Sequence, residues 1–417
     1  MIKKIIVAAC FFFTLVSFAQ SGTASPYSYF GIGDVRFKGT LEIRSMAGVG
    51  VEQDSIHINI LNPASFAAMR LTTFTMGGSY TGTKLKTDTE NAKANRTSLD
   101  YLAVALPLGK MGVGFGLLPY SSVGYNIESV STDGNVNNNR LTGSGGLNKA
   151  FFSFGYTIMP GLLVGADMQY NFGRIQNTNA EFITEVAIGT LEENDADLRG
   201  LSFNFGAMYK GKINSKLNYY TSLTFMPQST LVSRNTRAIF TVQYDSNNNL
   251  VKTDALPVVE TKKDLSIANK TTFGVGIGQS KKWMIGSQII YQNTSALAND
   301  FNTASNVSYE SNINYSIGGY YIPNYNVFSK YYQKITYRGG LKFNRTGTIV
   351  NSQSIDEKGI TIGFGLPATN GNFSNFNIGL EFGKKGTTAS GLIQENYGIF
   401  SLSFSLNDKW FRQRKID

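Results

Sequence analysis

The stretch Leu162–Arg174, LLVGADMQYNFGR, has two faces whose residues alternate along the chain. One face is apolar and consists of Leu162, Val164, Ala166, Met168, Tyr170 and Phe172. The other is small or polar and consists of Gly165, Asp167, Gln169, Asn171 and Gly173. A period of two over this length predicts a β-strand with one apolar and one polar face. The polar face is nearly free of Lys and Glu, which favours a crowded barrel lumen over a water-exposed sheet.

The same alternation recurs along most of the chain, for example at Phe152/Phe154/Tyr156, Phe273/Val275/Ile277 and Leu402/Phe404/Leu406. A soluble β-sandwich also alternates, so the uncharged polar faces decide between the two. The sequence therefore predicts an all-β fold, a transmembrane antiparallel β-barrel of about 14 strands over residues 72–406.

Short links between the predicted strands alternate with long ones, as turns and surface loops do in outer-membrane barrels. The clearest long links are Ser121–Asn148, Ile175–Arg199 and Ser229–Lys270. An acidic run at Glu192, Glu193, Asp195 and Asp197 falls in the second of these. We interpret this run as part of a solvated loop, with weak calcium binding as the alternative.

The composition of the 417 residues excludes most catalytic chemistry. Charged residues make up only 16%, against about 25% in soluble domains. The chain has one Cys and one His, and it has no P-loop or HExxH motif, so we expect no enzyme, no cofactor and no metal site. A net charge of +10 suits acidic lipid headgroups and does not require nucleic acid.

Residues 1–19 have the features of a secretory signal peptide. Lys3 and Lys4 precede an apolar run, and Ser17-Phe18-Ala19 provides a cleavage site before Gln20. A membrane anchor or a buried helix is the alternative, but the run is short for a bilayer span. Because Cys10 lies in this segment, the mature chain has no cysteine. We expect export and location in the cell outer membrane.

Residues 20–71 are rich in glycine and do not alternate like strands. Since some fifty residues lack a core of their own, we expect this segment to fold into the barrel lumen as a hatch. Residues 407–417 form a basic tail that we expect on the periplasmic side.

Two glycine series, Gly112-Val113-Gly114-Phe115-Gly116 and Gly274-Val275-Gly276-Ile277-Gly278, superficially match phosphate-binding loops. Their period of two places them on strands, so they predict small positions in the wall where the hatch approaches closely. His57 lies near Asp54 and Ser55, and we interpret it as a packed polar residue and not as a catalyst.

The segment RSMAGVGV at Arg44–Val51, followed by Asn62-Pro63-Ala64-Ser65, resembles the hatch of FadL-type outer-membrane transporters. The resemblance implies a fourteen-stranded barrel and assigns Asn62, Pro63 and Ala64 to the hatch motif. It also implies passage of hydrophobic compounds through a binding pocket, with exit by a kink in the hatch or an opening in the wall. A purely structural role for the motif is the alternative.

Similar barrels also serve in the type IX secretion system of Bacteroidota, and the Ser-Phe-Ala-Gln cleavage site and basic tail resemble proteins of that phylum. Two functional hypotheses follow. The first is passage of a hydrophobic or amphipathic small molecule, which requires a continuous apolar pocket in the lumen. The second is a non-transporting barrel subunit of the type IX translocon or of another outer-membrane complex, which requires a lumen blocked by polar packing. The expected partners are outer-membrane lipid, such a cargo, or secretion-system subunits.

Overall fold

A computed structural model describes residues 23–129, 138–183, 186–246, 250–293, 306–326, 328–368 and 374–409. The predicted signal peptide, and the predicted tail from residue 410 onward, lie outside these ranges. No α-helix in the described ranges is long and apolar enough to cross a bilayer.

Twenty β-strands are present in the described ranges. They are β1 (Asp34–Val35), β2 (Thr72–Lys86), β3 (Asn91–Leu108), β4 (Met111–Pro119), β5 (Ser121–Ser129), β6 (Asn138–Met159), β7 (Leu162–Phe182), β8 (Ile188–Lys212), β9 (Asn218–Met226), β10 (Ser229–Tyr244), β11 (Leu250–Ala255), β12 (Val259–Ile267), β13 (Lys270–Gln279), β14 (Trp283–Gln292), β15 (Val307–Tyr309), β16 (Asn312–Tyr321), β17 (Thr336–Val350), β18 (Gln353–Pro367), β19 (Asn375–Lys385) and β20 (Gln394–Asp408). The short helices are α1 (Leu41–Arg44), α2 (Tyr331–Lys334) and 3₁₀ turns at Pro26–Tyr29, Pro63–Ala68 and Ala389–Gly391.

The strands form a closed antiparallel barrel with fourteen positions, as the alternation predicts. Four positions are each made of two consecutive strands, namely β4 with β5, β9 with β10, β12 with β13, and β15 with β16. The barrel closes where β2 pairs with β20, from Thr72 opposite Asp408 to Lys86 opposite Gln394. The last strand thus runs two residues past the expected boundary at residue 406.

The alternation seen in Leu162–Arg174 sorts side chains to the two sides of the wall. Met168 and Tyr170 are 47% and 44% exposed on the outside, whereas Asp167 and Asn171 are 3% and 0% exposed in the lumen. Outward apolar side chains on neighbouring strands, such as Phe154 and Phe203, continue the same exposed band. This band is the surface that a barrel presents to lipid hydrocarbon.

The predicted long loops are wrong, because the strands continue through most of them. The expected loop Ile175–Arg199 forms the outer parts of β7 and β8, and Ser229–Lys270 forms β10, β11 and β12. In the same way, Ser121–Asn148 contributes β5 and the start of β6. A sequence in which apolar and polar residues do not alternate gives no period-two signal, yet its backbone can still extend the hydrogen-bonded ladder. With 25 residues, β8 spans about 80 Å along the strand, much more than the band of about 25 Å that lipid covers. We call residues 188–191, 238–246 and 250–261 the outer extension.

The acidic run therefore lies on β8 and not on a loop. Its carboxylates pair with basic side chains: Glu192 with Arg237 at 2.7 Å, Glu193 with Lys252 at 2.8 Å, and Asp195 with Arg174 at 2.9 Å. The described residues contain no group of three or more His, Cys, Asp or Glu side chains that could hold a metal ion.

Candidate functional site: the hatch, the wall gap and the luminal cavity

The segment Thr23–Leu71 lies inside the barrel and packs against most of its strands, which identifies it as the hatch. Wall glycines make this close packing possible. An added Cβ would lie 3.0 Å or less from a hatch atom at Gly112, Gly114, Gly155, Gly165, Gly206, Gly274, Gly276, Gly286, Gly318, Gly340, Gly363 and Gly379. We call these residues the glycine belt. They are spread over ten strands, so the hatch is held from nearly all sides.

The predicted role of the two glycine series is confirmed for four positions. Gly112 and Gly114 face Phe66 of the hatch, and Gly274 and Gly276 face Val51. Gly116 and Gly278 instead meet atoms of the wall. The period-two pattern thus marks where the backbone of the wall approaches another segment, and it does not form a phosphate loop.

The motif residues Asn62, Pro63 and Ala64 lie at the start of the 3₁₀ helix Pro63–Ala68, on β7 and β8. Asn62 is the N-cap, and its Oδ1 accepts a hydrogen bond from Ala64 N at 3.0 Å. Its Nδ2 donates to Ser222 Oγ at 2.9 Å and to Ala207 O at 3.2 Å. The side chain is 1% exposed and holds the hatch to two strands at once.

Charged groups also attach the hatch to the opposite wall. Arg44 contacts Glu381 at 2.9 Å and Asp100 at 3.3 Å. Asp34 pairs with Lys385 at 2.6 Å. These buried ion pairs are strong anchors because removal of one partner leaves a charge without water or a counterion.

The part of the hatch that lies near the short turns contains a second group of polar residues, around His57. His57 Nδ1 lies 2.6 Å from Asp54 Oδ2, and its Nε2 lies 3.3 Å from Asn375 Nδ2. Burial opposes the charged form of both residues, but their mutual attraction is stronger. The pair therefore raises the pKa of His57 and lowers the pKa of Asp54 to about 2. His57 is thus a packed, paired residue.

Beside this pair, Glu52 accepts a hydrogen bond from Tyr220 Oη at 3.2 Å. Burial, reinforced by the nearby Asp54 charge, raises the pKa of Glu52 to about 7.

The wall has a gap that the sequence did not reveal. The inner part of β3 pairs with β4, from Leu102 opposite Leu117 to Leu108 opposite Met111. Past Pro119 the chain bends inward, and β5 pairs with the hatch strand β1, Asp34 opposite Ser122. In the described residues, the outer part of β3, Asn91–Asp100, therefore has a ladder only with β2.

A cavity of about 270 Å³ opens at this gap. Both Ala94 and Asn95 line it, although consecutive strand residues point to opposite faces, so the cavity reaches around the edge of β3. Its lining is rich in charge and includes Arg36, Lys38, Arg44, Arg96, Asp100, Lys270, Lys342, Glu357, Glu381, Lys385 and Glu395. A second space, among apolar residues such as Ile32, Ile175 and Leu198, measures only about 10 Å³.

The lumen thus combines a closely packed apolar part with a charged cavity, and its hatch is fixed by a belt of glycines. These features define a class: a fourteen-stranded transmembrane β-barrel with an N-terminal luminal hatch. The chain belongs to the BamG family, whose model matches residues 1–417. No curated protein matches the sequence.

Solved structures of similar fold are hydrocarbon and toluene channels. A Pseudomonas aeruginosa FadL homologue shares 11% identity with a TM-score of 0.60, over 90% of this chain and 99% of its own. The Ralstonia pickettii toluene transporter TbuX shares 13% identity with a TM-score of 0.58, over 89% of this chain and 99% of its own. The CymD monoaromatic hydrocarbon channel shares 13% identity with a TM-score of 0.55, over 92% of this chain and 100% of its own. The FadL-type architecture expected from the sequence is therefore confirmed at the level of the fold.

Proposed function

We propose that this chain is a barrel subunit of an outer-membrane protein complex and acts as a membrane-embedded scaffold. The observation that carries this proposal is apolar surface beyond the lipid band. In the outer extension, Val251, Leu256, Val258 and Val259 are between 41% and 59% exposed. Exposed apolar side chains grouped outside lipid are typical of a protein contact.

The position of these residues excludes lipid as their partner. In β9 the lipid-facing band includes Leu223 and Phe225, and the chain then continues through β10 to Phe240, which pairs with Ala255 of β11. The fifteen residues from Phe225 to Phe240 correspond to about 50 Å of extended strand. Val251 of β11, and Leu256, Val258 and Val259 that follow it, therefore lie beyond the lipid band, where a protein partner would bury their apolar surface.

The lumen supports the same function because it offers little apolar space. A dry cavity of about 150 Å³ is needed to hold a benzene-sized molecule. The space beside Ile32, Ile175 and Leu198 is about 10 Å³, and the larger cavity has many charged side chains among its apolar ones. Apolar cargo would therefore have to displace or bypass ion pairs such as Lys385 with Asp34.

Co-purification in mild detergent tests the proposal. We expect the wild-type chain to be isolated with protein partners, and we expect the double variant Val251→Asp, Val258→Asp to lose them while it remains a folded barrel. Thr261→Asp, at an exposed polar position of the same sheet, adds a charge without removing apolar surface and is the matched control. A wild-type barrel that always runs alone would contradict the proposal.

Passage of a hydrophobic or amphipathic small molecule is the second candidate, and the gap between β3 and β5 favours it. This gap joins the charged cavity to the outside of the wall. Deletion of residues 20–68 tests the idea in liposomes: if uptake of a probe such as toluene is unchanged by the deletion, the hatch does not control passage. An association with type IX secretion subunits and an origin in Bacteroidota stay predictions.

A further inference from the structure

Two lysines approach one aromatic ring at the point where the wall bends inward, and a third lies in the same luminal region. Tyr120 lies between β4 and β5 and is 3% exposed. Lys38 Nζ of the hatch lies 3.5 Å from the centre of its ring, and Lys149 Nζ of β6 lies 5.0 Å from the same centre. Lys270, at the start of β13, lines the charged cavity together with Lys38. We call Lys38, Lys149 and Lys270 the lysine cluster.

The lysine cluster differs from three other cations of the lumen. Arg44, Lys342 and Lys385 each form an ion pair with a carboxylate. In the described part of the chain, none of the three lysines of the cluster forms an ion pair. Contact with an aromatic face stabilises a cation but does not neutralise its charge.

The carboxylate of Asp167 lies near the cluster, but it already accepts hydrogen bonds from other side chains. Asp167 is 3% exposed and accepts hydrogen bonds from Asn204 Nδ2 at 3.0 Å and from Gln169 Nε2. Lys149 donates to the amide oxygen of the same Gln169. Burial, followed by repulsion from Lys270 and Lys149, lowers the pKa of Lys38 well below its ordinary value. Protonation of all three amines is therefore unfavourable without a nearby anion, and a bound anion would favour their charged forms.

The gap gives a ligand access to this charge at a defined depth of the membrane. Leu99 is the outermost apolar residue on the lipid side of β3, and the next outward positions are Thr97, Asn95 and Lys93. Asn95 and Arg96 line the cavity at the gap. The opening therefore lies just above the hydrocarbon, at the level of lipid headgroups.

We propose that Lys38 and Lys270 of the lysine cluster, which line the cavity, bind the phosphate group of a ligand that enters through the gap between β3 and β5, with Lys149 beside Lys38 at the Tyr120 ring. A cavity of about 270 Å³ accommodates a phosphate with part of a headgroup. A phosphate oxygen accepts charge-assisted hydrogen bonds from ammonium groups and supplies the missing negative charge. The ligand is either a phosphorylated lipid headgroup or free phosphate.

Binding of inorganic phosphate to the full chain, purified in a non-ionic detergent, tests this proposal. Calorimetric titration at constant ionic strength should show phosphate binding, and phosphate should raise the thermal unfolding temperature of the wild type. The double variant Lys38→Gln, Lys270→Gln should weaken phosphate binding by roughly tenfold or more. It should also unfold at a higher temperature than the wild type without phosphate, because the variant has less repulsion.

Two further variants separate phosphate binding from a general effect of charge. Lys262→Gln removes an exposed lysine of β12 and should leave phosphate binding unchanged. Lys38→Arg, Lys270→Arg keeps the charge and should retain binding. Mass spectrometry of protein extracted directly from outer membranes identifies the source. A phosphorylated lipid lost in the double Gln variant indicates a headgroup, and its absence together with phosphate binding indicates the free anion. Equal phosphate binding by wild type and double Gln variant, or no binding by either, would overturn the proposal, whatever the outcome of the partner experiment.

Discussion

Arg44 of the hatch donates through Nε to Glu381 Oε2 of β19 at 2.9 Å, and both side chains lie inside the barrel. The same Glu381 is 2.6 Å from Lys342, and Arg44 also contacts Asp100 of β3. One hatch residue thus links β3 to β19 across β2 and β20, the strands that close the barrel. A hatch that moved out of the lumen would have to break these contacts of Arg44 with the wall.

Replacement of Arg44 by Met should therefore destabilise the whole protein. The change leaves two buried carboxylates with reduced compensation, and we expect the free energy of unfolding to fall by about 3 kcal/mol. Urea unfolding in detergent measures the difference. Lys252→Met, which breaks the exposed pair with Glu193, is the control and should cost less than about 1 kcal/mol. Similar losses for both variants would argue against the anchoring role of Arg44.

A methyl group at Gly206 should displace the hatch motif. An added Cβ would lie 2.0 Å from Asn62 Oδ1, which is far inside van der Waals contact. Gly206→Ala should therefore lower the thermal unfolding temperature and increase proteolysis of the hatch, whereas Gly339→Ala should change neither. At Gly339 the nearest atom is 3.7 Å from the added Cβ. Unchanged proteolysis in Gly206→Ala would show that the hatch does not need this contact.

Asn62 should be more sensitive to Asp than to Ala. Its Oδ1 accepts from Ala64 N, while its Nδ2 donates to Ser222 Oγ and to two backbone carbonyls. Asp keeps the cap but places a buried negative charge against carbonyl oxygens, and Ala only loses the hydrogen bonds, at about 1–3 kcal/mol. The thermal unfolding temperatures of Asn62→Asp and Asn62→Ala test this order of stability. If Asn62→Asp were as stable as the wild type, Asn62 Nδ2 would not be the donor to these oxygens.

The stability of the hatch should depend on pH through Glu52. Because its pKa is raised from 4.5 to about 7, the protonated form stabilises the folded state fully below pH 4.5, and this contribution is lost as the pH rises through 7. Glu52→Gln cannot ionise, so its unfolding temperature should gain on that of the wild type between pH 4.5 and 7, and the difference should stay constant at higher pH. Asp54, Tyr220, Tyr320 and Lys210 face Glu52, and they are unchanged in this comparison.

The pH effect needs a control for exposed carboxylates. Glu260→Gln removes a carboxylate from an exposed position of β12 and is the matched control. His57 also loses stabilisation as the pH rises through its raised pKa, but equally in all these proteins. A Glu52→Gln curve parallel to that of the wild type would place the carboxylate in water.

The sequence predicts those parts of the molecule that repeat locally. The alternation in Leu162–Arg174 correctly places Asp167 inside and Met168 outside, because lipid and lumen impose opposite polarity on successive residues. The same signal places Gly112 and Gly274 where the hatch approaches the wall.

Structural features that depend on residues far apart in the sequence, or on strands without alternation, gave no local sequence pattern. In the outer extension the apolar residues stand in runs such as Ala238-Ile239-Phe240 and Val258-Val259, so its strands have no period-two pattern. The inward bend of β5 depends on pairing between Asp34 and Ser122, and the anchor depends on Arg44 meeting Glu381, more than 300 positions later. The lysine cluster brings together Lys38, Lys149 and Lys270, which no local motif connects.

The size and composition of the particle that contains this chain, extracted from outer membranes in mild detergent, test the central claim most directly. The scaffold function predicts a particle larger than the lone barrel, with protein partners that Val251→Asp, Val258→Asp releases and Thr261→Asp retains. A wild-type barrel that runs alone, and that carries toluene into liposomes at a rate dependent on the hatch, would contradict the claim.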